Sequence, residues 1–153
     1  QDGTDPLDRS YYICTFVNNQ HRVELGSSWE ASPFNLALCH LAEEISAGRN
    51  SRRHDAVMLF DEHAMPLTRK WCVFEAWRCA ELELPLRLFW KEGEVLRDSD
   101  DPMSAKLQHE LQQLDLRTAR CSDQNDSNMI DVAVEDSKGG FDGVHAVVRL
   151  KVL

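Results

Sequence analysis

The residues whose types could do chemistry gather in one stretch, Leu67-Thr-Arg-Lys-Trp-Cys-Val-Phe-Glu75, which continues through Ala-Trp-Arg-Cys to Leu84. Laid out at 100° per residue, a helix here carries Val73, Ala76, Trp77, Ala80 and Leu84 on one side. Glu75 falls almost opposite, with Trp71, Arg78, Cys79 and Leu82 around it. A carboxylate set among aromatic and aliphatic side chains can mark a site or a contact surface. The alternative is an exposed Glu75 paired with Arg78 three residues on, with Trp71 covered by a neighbouring loop. Cys72 stands near the start of the same helix, where a thiol pKa can fall far enough to make a nucleophile, although no histidine is placed beside it by sequence. A second polar cluster, Asn18-Asn19-Gln20-His21, follows an apolar segment and is either a set of ligand contacts or an ordinary turn.

These groups need elements to position them. Val57 to Phe60 form a continuous apolar run of strand length, as expected for a sheet buried on both faces. Asp61 to Pro66 end that strand, Thr68 serves as helix N-cap, and Pro85 stops the helix near Leu84. Upstream, Tyr11 to Val17 are aromatic and β-branched and read as a strand. Ser32 caps a helix with Pro33 in first position and Gly48 at its end, and Phe34, Leu38, Leu41 and Ile45 form its apolar stripe. Downstream, Leu84 to Trp90 read as a third strand and Lys91 to Asp101 as a surface loop. Asp101 caps, and Pro102 opens, a helix with Met103, Leu107, Leu111 and Leu114 on one face. Asp115 to Cys121 read as a weaker fourth strand. A helix through Met129 to Val134 ends near Gly139-Gly140. From Phe141 the pattern fits a helix (Val144, Val147, Val148) better than a strand (Val148, Leu150, Val152).

Strands alternating with helices, and no hairpin turn between strands, predict an α/β fold. The expected form has three layers, with a mostly parallel sheet of about four strands and helices on both faces, flavodoxin-like in class. Residues 1–10 are a polar lead-in and 11–153 a single domain. The chain has no G-x-G-x-x-G, P-loop or G-x-S-x-G pattern, which argues against the nucleotide-binding and hydrolase classes those motifs mark. The net charge of −9 and the lack of a basic patch beyond Arg49, Arg52 and Arg53 argue against nucleic acid and membrane surfaces as partners. Five cysteines at irregular spacing, without C-x-x-C, read as reduced thiols of a cytoplasmic protein, and no metal site is expected. His40, His54 and His63 read as surface or loop residues.

The segment Leu67 to Glu75 resembles the S-x-W-C-x-x-E-L segment of Toll/interleukin-1 receptor (TIR) domains, and more closely the L-T-R-x-W-C-x-x-E segment of TIR-like domains in large protist and algal proteins. The run from Tyr11 to His21, Tyr-Tyr-Ile-Cys-Thr-Phe-Val-Asn-Asn-Gln-His, resembles a strand that precedes it in that group. Ser32-Pro-Phe-Asn-Leu-Ala37 and Ala119-Arg-Cys-Ser-Asp123 fit in the same order. The resemblance extends from Tyr11 to the C-terminus and implies that the family's first strand would precede Gln1. It implies a signalling or interaction module working by protein–protein association, with protein partners or self-association. It also implies an alternative, NAD glycohydrolysis, in which Glu75 is the catalytic carboxylate, Trp71 stacks on a ring of the substrate, Arg69 meets phosphate, and Asn18 and Asn19 contribute to the pocket. NAD is then a substrate, and no cofactor is implied.

Overall fold

The computed structural model describes residues 28–48, 55–96 and 101–152. After a 3-10 turn at Trp29–Ala31 come α1 (Pro33–Ser46), β1 (Ala56–Leu59), a second 3-10 turn (Met65–Thr68), α2 (Lys70–Glu81), β2 (Leu86–Trp90), β3 (Gly93–Glu94), α3 (Pro102–Gln113), α4 (Gln124–Glu135) and α5 (Gly140–Lys151). The fold is mixed α/β. The strand predicted over Tyr11 to Val17 lies outside the described residues.

Three helix starts follow their caps. Ser32 Oγ accepts the Asn35 N–H at 3.4 Å, Asp101 Oδ1 accepts that of Met103 at 2.9 Å, and Asp123 Oδ1 accepts that of Asn125 at 2.7 Å. Each satisfies an amide that the helix itself cannot. At α2 the expectation differs from the structure. Thr68 belongs to the preceding 3-10 turn, where its hydroxyl donates to the Met65 carbonyl at 2.8 Å. The residue before the helix is Arg69, whose side chain makes no cap. The Lys70 amide is satisfied instead from across the fold, by the Arg120 carbonyl at 2.8 Å.

The sheet runs in the order β1-β2-β3. β1 and β2 are parallel, pairing Val57 with Arg87 and Leu59 with Phe89, while β3 returns antiparallel to β2. Two expectations are corrected here, the absence of a hairpin between strands and the fourth strand. Lys91 to Glu94 hold a tight hairpin, at Gly93 with φ near +128°, rather than the start of an open loop. Asp115 to Cys121 are not a strand: they form turns, closed by Asp115, with one parallel bridge from Arg120 to Arg69. The three apolar residues, Leu116, Ala119 and Cys121, interspersed with Arg117, Thr118 and Arg120, are too few to hold a ladder.

One sheet face is buried and the other is open. Phe60, Leu88 and Val95 join the core with Phe74 and Trp77 of α2, Leu107 and Leu111 of α3, Ile130 and Val134 of α4, and Val144 and Val148 of α5. On the opposite face Val57 is 53% and Leu59 71% exposed. A second helical layer over that face is not seen among the described residues. The Val57–Phe60 run therefore does not mean burial on both sides, and alternation of the strand decides which residues are inside. Among the described residues, no helix is long and apolar enough to cross a membrane.

Helix α2 lies at the centre, in contact with α1, α4, α5 and β2. Its buried residues, Lys70, Val73, Phe74, Ala76, Trp77 and Cys79, run most of the way round the helix, so it has no broad solvent stripe. It ends at Glu81, short of Leu84. The Leu84 amide bonds to the Cys79 carbonyl at 2.8 Å and that of Glu83 to Ala80 at 3.2 Å, a Schellman closure with Glu83 in the left-handed region at φ +54°.

Candidate functional site

The start of α2 is pinned by side chains that reach α4. Lys70, 2% exposed, donates through Nζ to both Asp131 oxygens at 2.8 and 2.9 Å and to Ser127 Oγ at 2.8 Å. An ammonium so deeply buried needs this full set of acceptors. Trp71 donates its Nε1–H to Asp126 Oδ2 at 3.0 Å. Its ring meets Phe34 edge-on at a centroid distance of 5.1 Å and Phe74 at 5.9 Å. Phe74 is the hub of the aromatic cluster, with Trp29 at 5.3 Å and Trp77 at 5.2 Å. Edge-to-face pairs of this kind add to the burial of the rings. Trp71 is thus committed to packing on two edges and through its N–H.

Glu75 sits one turn further along. It is half-buried, and among the described residues it makes no hydrogen bond or ion pair. Burial pushes its carboxyl up to about 7, and the Arg69 guanidinium opposes that rise. Arg78 is not its partner: Arg78 Nε donates to Asn35 Oδ1 at 3.2 Å, and its guanidinium lies 4.9 Å from the Trp29 ring centre. The Glu75 charge bears instead on Cys79, one turn on, whose thiol is pushed up to about 12 by burial first and Glu75 second, with Arg78 opposing. Cys79 is therefore an inert core thiol. Cys72 is half-buried in the first turn of the helix.

Of the predicted site residues, Glu75, Trp71 and Arg69 are brought together at the N-terminal half of α2. Arg69 is exposed, and its backbone carbonyl accepts the Val73 amide at 3.1 Å while its main chain bridges Arg120. Asn18 and Asn19 lie outside the described residues. Two surface clefts, one beside Asp115 and Arg149 and one beside Trp29 and Trp77, do not include Glu75. No group of three or more His, Cys, Asp or Glu side chains that could hold a metal occurs among the described residues.

Sequence reasoning missed two polar anchors. Lys70 stands at i with Val73, Phe74 and Trp77 at i+3, i+4 and i+7; a lysine in line with that stripe signals a buried ammonium with an acidic partner elsewhere. His145, 5% exposed, accepts the Leu116 N–H through Nε2 at 2.9 Å. It stands between Val144 and Val148 on the α5 core face, and that position was its only signal. No family model, no curated protein and no solved structure matches this chain.

Proposed function

We propose that the chain is an interaction module of TIR-like type, a cytoplasmic signalling domain that works by protein–protein association. One observation carries this: a sheet with parallel strands leaves Val57 and Leu59 open to solvent beside half-buried Phe89, with Leu96 also exposed just past β3. Parallel strands are ordinarily covered on both faces, and an apolar face of this kind is what association buries. Its polar edge is ordered. Arg87 donates through Nε to Glu94 Oε1 at 2.7 Å and through Nη1 to Asp55 Oδ2 at 3.2 Å, and lies 4.9 Å from the Phe89 ring centre. Sedimentation over a range of concentrations tests self-association through this face. The expected result is a concentration-dependent larger species that Leu59→Lys weakens at least ~10-fold, since a desolvated lysine costs more than the ~1.4 kcal/mol per decade. Identical monomeric behaviour of both proteins, with no loss of partner capture by Leu59→Lys, goes against the reading.

The half-buried Glu75 carboxyl, with Arg69 as its opposing charge, supports a second reading, NAD glycohydrolysis. Breaking the bond between nicotinamide and ribose builds positive charge at the anomeric carbon, which an ionised carboxylate stabilises. Near neutrality Glu75 is only partly ionised, so turnover by this group rises with pH through about 7. Consumption of NAD that follows this profile and disappears in Glu75→Gln supports the reading. Turnover unchanged in Glu75→Gln, or absent in a folded and associated sample, rules it out.

A further inference from the structure

A cleft of about 630 Å³ opens between the Trp29–Ala31 turn, the last turn of α2 and one side of α4. We propose that it binds a basic peptide segment through an aliphatic side chain. No residue of the sheet lines it, and it does not depend on the open sheet face being an interface.

One wall is held rigidly. Asn35, 4% exposed, donates through Nδ2 to the Glu30 carbonyl at 2.9 Å and accepts from Arg78. Arg78 in turn lies 4.9 Å from the Trp29 ring centre and 5.9 Å from that of Trp77. The turn is therefore locked to α1 and α2 before any ligand arrives, which lowers the ordering cost of binding. The floor is apolar: the edge of Trp77 with Met129, Val132 and Ala133 of α4. Val132 is 57% exposed and so belongs to the cleft rather than to the core.

The charge around this floor selects the ligand. Glu30, Glu81 and Asp136 are exposed carboxylates on the rim, against one exposed ammonium, Lys138. Arg78 adds a second positive charge, hydrogen-bonded to Asn35 and lying over the two indoles, so three carboxylates face two cations and the rim stays negative by one charge. Two helices also end here, α2 at Glu81 and α4 at Glu135, and each presents the negative end of its dipole. An apolar floor under a negative rim accepts a side chain such as leucine flanked by lysine or arginine. The net charge of −9 adds long-range attraction for the same partner.

Titration of the purified chain with a short alternating lysine–leucine peptide, read by the intrinsic fluorescence to which Trp29 and Trp77 of the cleft contribute beside Trp71 and Trp90, tests this. A lysine–serine peptide of equal charge is the control. Saturable binding is expected for lysine–leucine, at least ~10-fold tighter than for lysine–serine, and weakened at least ~10-fold by Val132→Lys. A second variant, Glu81→Lys with Asp136→Lys, gives a similar loss. All three changes suit the helices, because lysine is a better helix former than valine and a cation is favourable at a helix C-terminus. Loss of binding at an unchanged melting temperature thus reports the cleft. Leu59→Lys binds the peptide as the parent chain does, which separates this site from the sheet face. Equal affinity for the two peptides, unchanged affinity in both cleft variants, or no saturable binding overturns the proposal.

Discussion

Glu75 is held at a cost that a neutral side chain in its place would not bear. Its carboxyl titrates at about 7 in the folded chain against an ordinary 4.5. Between those values the folded chain keeps a proton that the unfolded chain has lost, so stability falls as pH rises through the window, and the full penalty applies above about 7. Glu75→Gln is therefore expected to stabilise the fold by roughly 2 kcal/mol at about pH 8 and hardly at all near pH 4.5. Denaturant titrations at the two pH values measure this, and an equal gain at both would show that ionisation is not the cause. His145 has the opposite sign. Burial lowers its pKa, with Arg149 and Arg117 acting the same way and Asp115 and Asp142 opposing. Its Nε2 can accept the Leu116 N–H only when neutral, so this stabilisation is complete above the ordinary histidine pKa and declines as pH falls below it.

At the scale of elements, the ends of helices carry most of the unread information. Glu83 occupies, at φ +54°, the left-handed position that glycine usually fills. Glu83→Gly is expected to raise stability by about 1 kcal/mol, the cost of a side chain in that conformation, and the melting temperature by about 2–4 °C. At the start of α5 the demand is reversed. Gly139 has φ +84°, and a Cβ on Gly143 would lie 2.4 Å from the Lys138 carbonyl oxygen. Gly143→Ala, normally favourable in a helix, should instead cost about 1–3 kcal/mol through that overlap. Thermal unfolding of the two variants gives shifts of opposite direction if these backbone contacts govern them. Gly139-Gly140 was legible as a boundary, and so were the caps at Ser32 and Asp101, whereas the start of α4 at Asp123 was not read. The end of α2 was not legible, because a glutamate at the turning residue carries no such mark.

At the scale of the molecule, the asymmetry of the sheet separates stability from association. Leu88 is 3% exposed within the core and Leu59 is 71% exposed on the open face. Leu88→Ala should cost about 2–5 kcal/mol, whereas Leu59→Ala should stay within about 0.5 kcal/mol while altering association. Denaturant midpoints beside sedimentation profiles check both halves of that expectation. What the amino-acid sequence determined by itself is local. It set the α/β alternation, the parallel β1-α2-β2 unit, the helix starts at Ser32 and Asp101, and the gathering of Arg69, Trp71 and Glu75 at the start of one helix, because caps, prolines and apolar periods act over a few residues. The tertiary structure alone decided that α2 would be wrapped nearly all round, that Lys70 would reach Asp131 and Arg78 would turn to Asn35 and Trp29 instead of Glu75, and that one sheet face would stay open. Those outcomes depend on which elements meet across tens of residues, and no spacing along the chain encodes the partner that a buried charge finds.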